Sequence, residues 1–266
     1  MNNLILLSDR SIIELEGIDR KSFLQGLISN DVNKASQENL IYAAMLGAQG
    51  RFLYDFFIFE NGEKLMLDCF AARRDEIIQK LNFYKLRSKV VIKKNDELQV
   101  FFFEKSGKFI DPRNSNLGYR TYLTKDQKDF TVEKILYDFK RISLKIPESE
   151  ADLTYDKSFI LEFGFDDLNA IDYQKGCYVG QELTARTHYL GQIRKKIFHV
   201  KIDQIKAIEK NAEITCEGKS VGIILSSVFF QSELHALALI KLAQDQEFSN
   251  IKENLQFSGQ KIFVVS

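Results

Sequence analysis

The segment Lys175-Gly176-Cys177-Tyr178-Val179-Gly180-Gln181-Glu182 sets one thiol between two glycines and beside a cation, with Arg186 and His188 following it. Glycines flanking a cysteine let the backbone turn tightly and leave the sulfur reachable. A neighbouring ammonium such as that of Lys175 favours thiolate over thiol, the form that ligates metal, exchanges with disulfides or attacks an electrophile. The spacing predicts a helix over Tyr178 to His188, with Leu183 four residues before Thr187. Cys177 is then expected at a helix N-terminus, where backbone N–H groups and the macrodipole favour the ionised sulfur. The plainer reading is a small buried hydrophobe in a turn, since most free cysteines are interior and inert.

The elements that must position this segment alternate in period. An apolar run from Asn3 to Glu16 reads as a strand pair, and Asp19 as the N-cap of a helix carrying Phe23, Leu24, Leu27 and Ile28 on one face. Phe52–Phe59 and Lys64–Phe70 flank Asn61-Gly62, a hairpin signal. Arg73–Tyr84 returns to helical period, strands follow at Lys89–Ile92 and Leu98–Phe103, and Asp129–Leu144 is a second long helix stopped before Pro147. Beyond Gly191 short strands are expected at Ile193–Ile202, Glu213–Cys216, Val221–Ser226, Leu234–Leu242 and Lys261–Val265, with turns at Glu217-Gly218-Lys219 and Ser258-Gly259-Gln260. The expected class is α+β, helices packed on a mainly antiparallel sheet over residues 1–190, followed by a small C-terminal β-barrel over 191–266.

Composition narrows the function. Hydrophobic residues at 45% and charged residues at 28% suit a folded globular chain. With 37 basic and 37 acidic side chains the net charge is zero, so no direct nucleic-acid or membrane partner is expected and any anion recognition must be local. The N-terminus lacks the basic region and cleavage site of a signal peptide, and a cytoplasmic location is expected. Cys69, Cys177 and Cys216 are odd in number and far apart, which argues against a disulfide framework and a zinc knuckle. An iron–sulfur cluster normally takes about four thiolates. No stable metal is therefore expected within one chain, and any cluster contact should run through a partner or across a dimer.

The octapeptide resembles the Lys-Gly-Cys-Tyr-x-Gly-Gln-Glu motif of the YgfZ family, folate-binding proteins tied to iron–sulfur cluster assembly and repair and related to the glycine-cleavage T-protein. The likeness extends to Gly17-Ile18-Asp19 with Phe23-Leu24-Gln25-Gly26 and Ser29-Asn30-Asp31-Val32, to Gly47-Ala48-Gln49-Gly50-Arg51, to Tyr84-Lys85-Leu86-Arg87-Ser88-Lys89-Val90 and to Pro147-Glu148. The resemblance implies a T-protein-like fold of three subdomains in a ring, with tetrahydrofolate in a central channel faced by Cys177. It implies functional roles for Cys177 and Lys175, supported by Gly176, Tyr178, Gly180, Gln181, Glu182 and Arg186. On the folate side, Tyr137 is expected to stack on a ring, Asp55 to accept from the pteridine edge, and Arg51 or Arg87 to meet the glutamate tail. Arg10 stands where relatives offer a tryptophan, and Ile160 replaces an expected proline.

Three functions compete at this point. The first is a tetrahydrofolate-binding accessory factor for iron–sulfur assembly, serving the assembly machinery or cluster-containing client proteins such as tRNA-modifying enzymes, with no catalysis required. The second is a folate-dependent aminomethyltransferase of the T-protein type, which needs a carboxylate to assist attack, with Asp55 as candidate. The third pairs Cys177 with His188 as a thiol nucleophile and base. One continuous helix would separate that pair by roughly 16 Å, too far for a dyad.

Overall fold

The computed structural model describes residues 4–126, 130–203, 207–242 and 254–265. In chain order the elements are β1 (Leu4–Leu6), β2 (Arg10–Glu16), α1 (Arg20–Gln25), β3 (Ile41–Leu46), β4 (Phe52–Asn61), β5 (Lys64–Phe70), α2 (Arg74–Lys85), β6 (Val91–Asn95), β7 (Leu98–Phe103), β8 (Phe109–Ile110) and β9 (Tyr119–Thr124). They continue with α3 (Ile135–Ser143), α4 (Ser149–Asp152), α5 (Gln181–Leu190), β10 (Lys195–Ile202), β11 (Glu213–Cys216), β12 (Lys219–Phe230), β13 (Glu233–Lys241), β14 (Leu255–Phe257) and β15 (Gln260–Val265).

Strands run β3-β4-β5-β2-β6 in one antiparallel sheet and β1-β7-β9-β8 in another, and β10-β13-β12-β11-β14-β15 close into a barrel. The class is α+β with a C-terminal barrel, as the alternation of periods predicts. Both faces of the first sheet are covered, which is why β4 reads Phe-Leu-Tyr-Asp-Phe-Phe-Ile-Phe without polar alternation. Tyr54, Phe56 and Ile58 pack under α1 and α2 with Leu24, Ile77 and Leu81. Phe57 and Phe59 face a second core shared with Phe102 and Phe109 of the other sheet, Tyr137 of α3, and Leu225, Leu237 and Leu239 on the outside of the barrel. The barrel interior holds a third core of Val200, Ile214, Ile240 and Ile262.

Several boundaries differ from expectation for local reasons. Asn61 pairs with Lys64 in the ladder, so the β4–β5 turn centres on Gly62-Glu63. Gly62 at φ +60° supplies the positive first position of a type II′ turn. Helix α1 stops at Gln25, and Leu27 and Ile28 are buried beyond its end. The α3 helix begins at Ile135, because Thr131 is taken into backbone hydrogen bonds with Leu4 and Leu6. Asp129 and Asn3, the starts of two expected elements, lie outside the described residues. Strand β12 runs on to Phe230 and turns through Gln231-Ser232, both at positive φ.

Candidate functional site

The octapeptide precedes its helix instead of lying in it. Gly180 has φ +81°, a left-handed conformation that ends helical geometry on its N-terminal side, and α5 starts at Gln181. Cys177 therefore lies four residues before the helix, in irregular chain, and the helix-end argument for its ionisation falls away. The thiol is exposed, whereas Cys69 and Cys216 are buried.

Lys175 does not attend the sulfur. Its Nζ donates to the carbonyls of Gln25, Ile28 and Asn30 at 2.7, 2.6 and 2.9 Å, one acceptor for each proton, and lies 5.1 Å over the Tyr178 ring. Burial pushes the ammonium down to about 8. The expected role in tuning the thiolate is replaced by a positioning role. Around this tripod Val179 N donates to Gly26 O at 3.1 Å and Asp172 N to Ser29 O at 3.0 Å. Ser29 Oγ donates to Ala170 O at 2.6 Å, and Asn30 Nδ2 to Asn169 O at 2.8 Å. The segment after α1 thus grips both sides of the cysteine loop.

A third segment closes against the loop from below. A Cβ at Gly180 would run into the Gly47 carbonyl oxygen and approach Leu46 Cβ to 2.8 Å, and one at Gly50 would lie 3.0 Å from Leu183 Cβ. The Gly47–Gly50 turn and the start of α5 therefore touch backbone to backbone. Tyr178 is buried beneath, its phenol pushed up to about 12 by burial, and its N–H donates to Gln181 Oε1 at 3.2 Å. Glu182 and Arg186 are exposed on α5. His188 stacks on Tyr173 with ring centroids 3.8 Å apart. Among the described residues no hydrogen bond joins it to Cys177, and the dyad is absent. Gly176 is unlike its neighbours: a Cβ there meets nothing within 4 Å, and its φ is not positive. The fold leaves open space next to the sulfur.

The residues expected to hold folate do not share a pocket. Tyr137 is 1% exposed, donates its hydroxyl to Glu148 and accepts from Arg113 Nη2 at 3.1 Å. Asp55 is 2% exposed and accepts from Arg10 Nη1 at 3.3 Å and Tyr42 Oη at 3.2 Å. Both belong to a buried ion-pair network at the meeting of the two sheets and α3. In it Arg10 Nε donates to Asp68 Oδ1 at 2.7 Å and Arg120 Nη1 to Asp68 Oδ2 at 2.8 Å. Arg113 holds Asp111 at 2.9 Å and Glu148 at 3.1 Å. Arg51 lies elsewhere, donating to Lys157 O at 2.8 Å over the Phe159 ring, and Arg87 is exposed in a groove with Asp19 and Phe23. Tyr137 and Asp55 as placed present no free ring face or acceptor, so these two do not fit a bound folate. Sequence reading passed over Asp68, Asp111, Arg113 and Arg120, whose one signal was charge inside apolar strands and their joins.

No protein-family model matches the chain. The iron-sulfur cluster assembly factor IBA57 homolog of Mycosarcoma maydis, named as mitochondrial, is 32% identical over 220 residues, covering 71% of this chain and 54% of that protein. The human mitochondrial iron-sulfur cluster assembly factor IBA57 is 30% identical over 257 residues, covering 81% of this chain and 72% of that protein. This chain belongs to the IBA57 family. Membership is a finer assignment than the YgfZ-like resemblance, although the alignments span only 54%, 63% and 65% of the first three relatives. The fold is that of the glycine cleavage system aminomethyltransferase T from Bartonella henselae, with TM-score 0.76, 13% identity, all of this chain covered and 85% of that one. The IBA57 relatives are named as mitochondrial, which overturns the expected cytoplasmic location. The missing features of a secretory signal, on which that expectation rested, do not distinguish the cytoplasm from a mitochondrion.

Proposed function

We propose that this chain acts in iron–sulfur cluster assembly by presenting Cys177 as a thiolate ligand to a cluster whose remaining ligands come from a partner protein. The observation that carries the reading is an exposed cysteine on a loop fixed from three sides, beside a glycine whose missing side chain the fold itself does not require. A pinned loop lowers the ordering cost of capture, which is what a transfer or scaffold ligand needs. Among the described residues no three potential metal-ligating side chains converge. A cluster of about four ligands bound at Cys177 is therefore completed by another molecule, and the assembly machinery and its client proteins are the partners this implies. Membership of a family whose named members are cluster assembly factors supports the same direction.

No step of this proposal runs through tetrahydrofolate, since Tyr137 and Asp55 are committed to the buried network. For the same reason an aminomethyltransferase reading has no free carboxylate at Asp55. The test is anaerobic reconstitution of a cluster-bearing acceptor with the full chain, followed by optical and Mössbauer spectroscopy. Cys177→Ser is expected to fold normally and to abolish a mixed-ligand cluster signal. Wild-type signal from the serine variant would remove the proposal.

A further inference from the structure

Tyr84-Lys85-Leu86-Arg87-Ser88-Lys89-Val90 has no part in the cysteine site. It closes α2 and leads into β6. Leu86, capping the helix, has φ 45° and ψ −111°, backbone that glycine takes freely and a branched side chain rarely. Leu86 is 88% exposed, so no packing inside the molecule offsets that strain. Phe83, one turn earlier, is 77% exposed and Ile18 is 75% exposed. The turn bearing Ile18 is fastened to the same place. Asp19 Oδ2 accepts from Lys89 N at 2.7 Å, and Gly17 packs so closely on the Lys89 carbonyl that no Cβ fits. The two segments border one open depression lined by Asp19, Ser22, Phe23, Leu86, Arg87 and Ser88.

The charge left over around these tips is net positive. Most nearby carboxylates are paired with cations, Glu16 with Lys64 and Lys93, Glu60 with Lys21 and Asp75 with Lys94, while Asp19 accepts from a backbone N–H and keeps its charge. Among the described residues Lys85, Arg87 and Lys89 form no ion pair. Cations without partners, ringing apolar tips that protrude into water, are complementary to a negative layer the tips can sink into.

We propose that this surface docks the chain peripherally on an anionic lipid bilayer, with Ile18, Phe83 and Leu86 entering the headgroup region and Lys85, Arg87 and Lys89 meeting lipid phosphates. Arg87 and the hydroxyl of Ser88 supply donors for a phosphate in the depression, while the Ser22 hydroxyl is held by the Asp19 carbonyl at 3.1 Å. A chain of zero net charge feels this attraction only locally, so binding is screened by salt. Among the described residues no helix is long and apolar enough to cross a membrane.

Co-sedimentation of the full chain with phosphatidylcholine vesicles, with and without phosphatidylglycerol, tests this. Binding is expected only with the anionic lipid and should weaken as salt rises. Neutralising each cation (Lys85→Gln, Arg87→Gln, Lys89→Gln) should lower partitioning about five-fold. Leu86→Gly is the sharper variant: relief of the backbone should keep or raise the melting temperature, while loss of the tip should weaken binding about ten-fold. Equal partitioning to neutral and anionic vesicles, or Leu86→Gly binding as wild type does, overturns the proposal. Retention on immobilised polyglutamate without vesicle binding also overturns it, assigning the surface to an acidic protein instead.

Discussion

Replacing Lys175 by methionine keeps an unbranched apolar stem, one atom shorter, and removes its three donors. Each hydrogen bond from a charged donor contributes roughly 1.5–3 kcal/mol, but three bonds from one half-buried group are not additive and water reaches part of the site. A local loss of about 3 kcal/mol is the reasonable sum, or about 150-fold in the opening equilibrium of the loop. The carbonyls of Gln25, Ile28 and Asn30 lose their shared partner, and the chain from Asp172 to Gly180 loses its anchor. Amide hydrogen exchange reads this directly at Val179 and Asp172, whose N–H groups are bonded to Gly26 O and Ser29 O. Their exchange should accelerate by about two orders of magnitude, with little change in the barrel strands. Unchanged protection at both amides would show that the tripod does not hold the loop, and the positioning role of Lys175 would fail.

The two motif glycines should part company. Gly180→Ala forces a Cβ onto the Gly47 carbonyl from a left-handed backbone and should cost at least about 2 kcal/mol in denaturant unfolding, whereas Gly176→Ala should unfold like wild type yet impair cluster capture at Cys177. Burial disfavours the Glu148 carboxylate, but Arg113, Arg141 and Arg10 outweigh it and hold its pKa well below the usual range. A depressed carboxylate contributes stability above its unfolded value near about 4.3 that is lost as pH falls toward the folded one; calorimetry of Glu148→Gln should show a melting temperature about 10 °C lower at neutral pH and a shallower loss below about pH 4. In the barrel, His199 Nε2 and His235 Nδ1 are 3.0 Å apart and buried. Burial, then the His235 neighbour, lowers His199 to about 4, so the unfolded chain takes up a proton first as pH drops from about 6.5. Melting temperature should fall across that window, and less so in His199→Gln.

The fold class was legible because hydrophobic period is set by which face of an element is buried, and that survives without coordinates. The β4–β5 hairpin and the barrel turns at Glu217-Gly218 and Ser258-Gly259 carried their own backbone demands in sequence. The Gln231-Ser232 turn did not, since neither residue type announces positive φ. At the site, the octapeptide located the cysteine, but two roles were misplaced for one reason. Period alone cannot show that Gly180 is left-handed, and so cannot place Cys177 outside α5. Residue type alone cannot show that Lys175 finds three carbonyls some 145 to 150 residues away in sequence. Tyr137 and Asp55 failed as ligand contacts through the same limit: an aromatic on a helix and an acid in an apolar strand gain partners only when the sheets meet, and the partners were Arg10, Arg113 and Glu148.

The most direct measurement is the Mössbauer spectrum of enriched iron, loaded anaerobically onto a cluster-bearing acceptor in the presence of the full chain, for wild type and for Cys177→Ser. A cluster environment that includes Cys177 should give a component present with wild type and missing with serine, while circular dichroism shows both chains equally folded. Identical spectra from the two chains would contradict a ligand role for this cysteine and leave the pinned loop without the chemistry assigned to it.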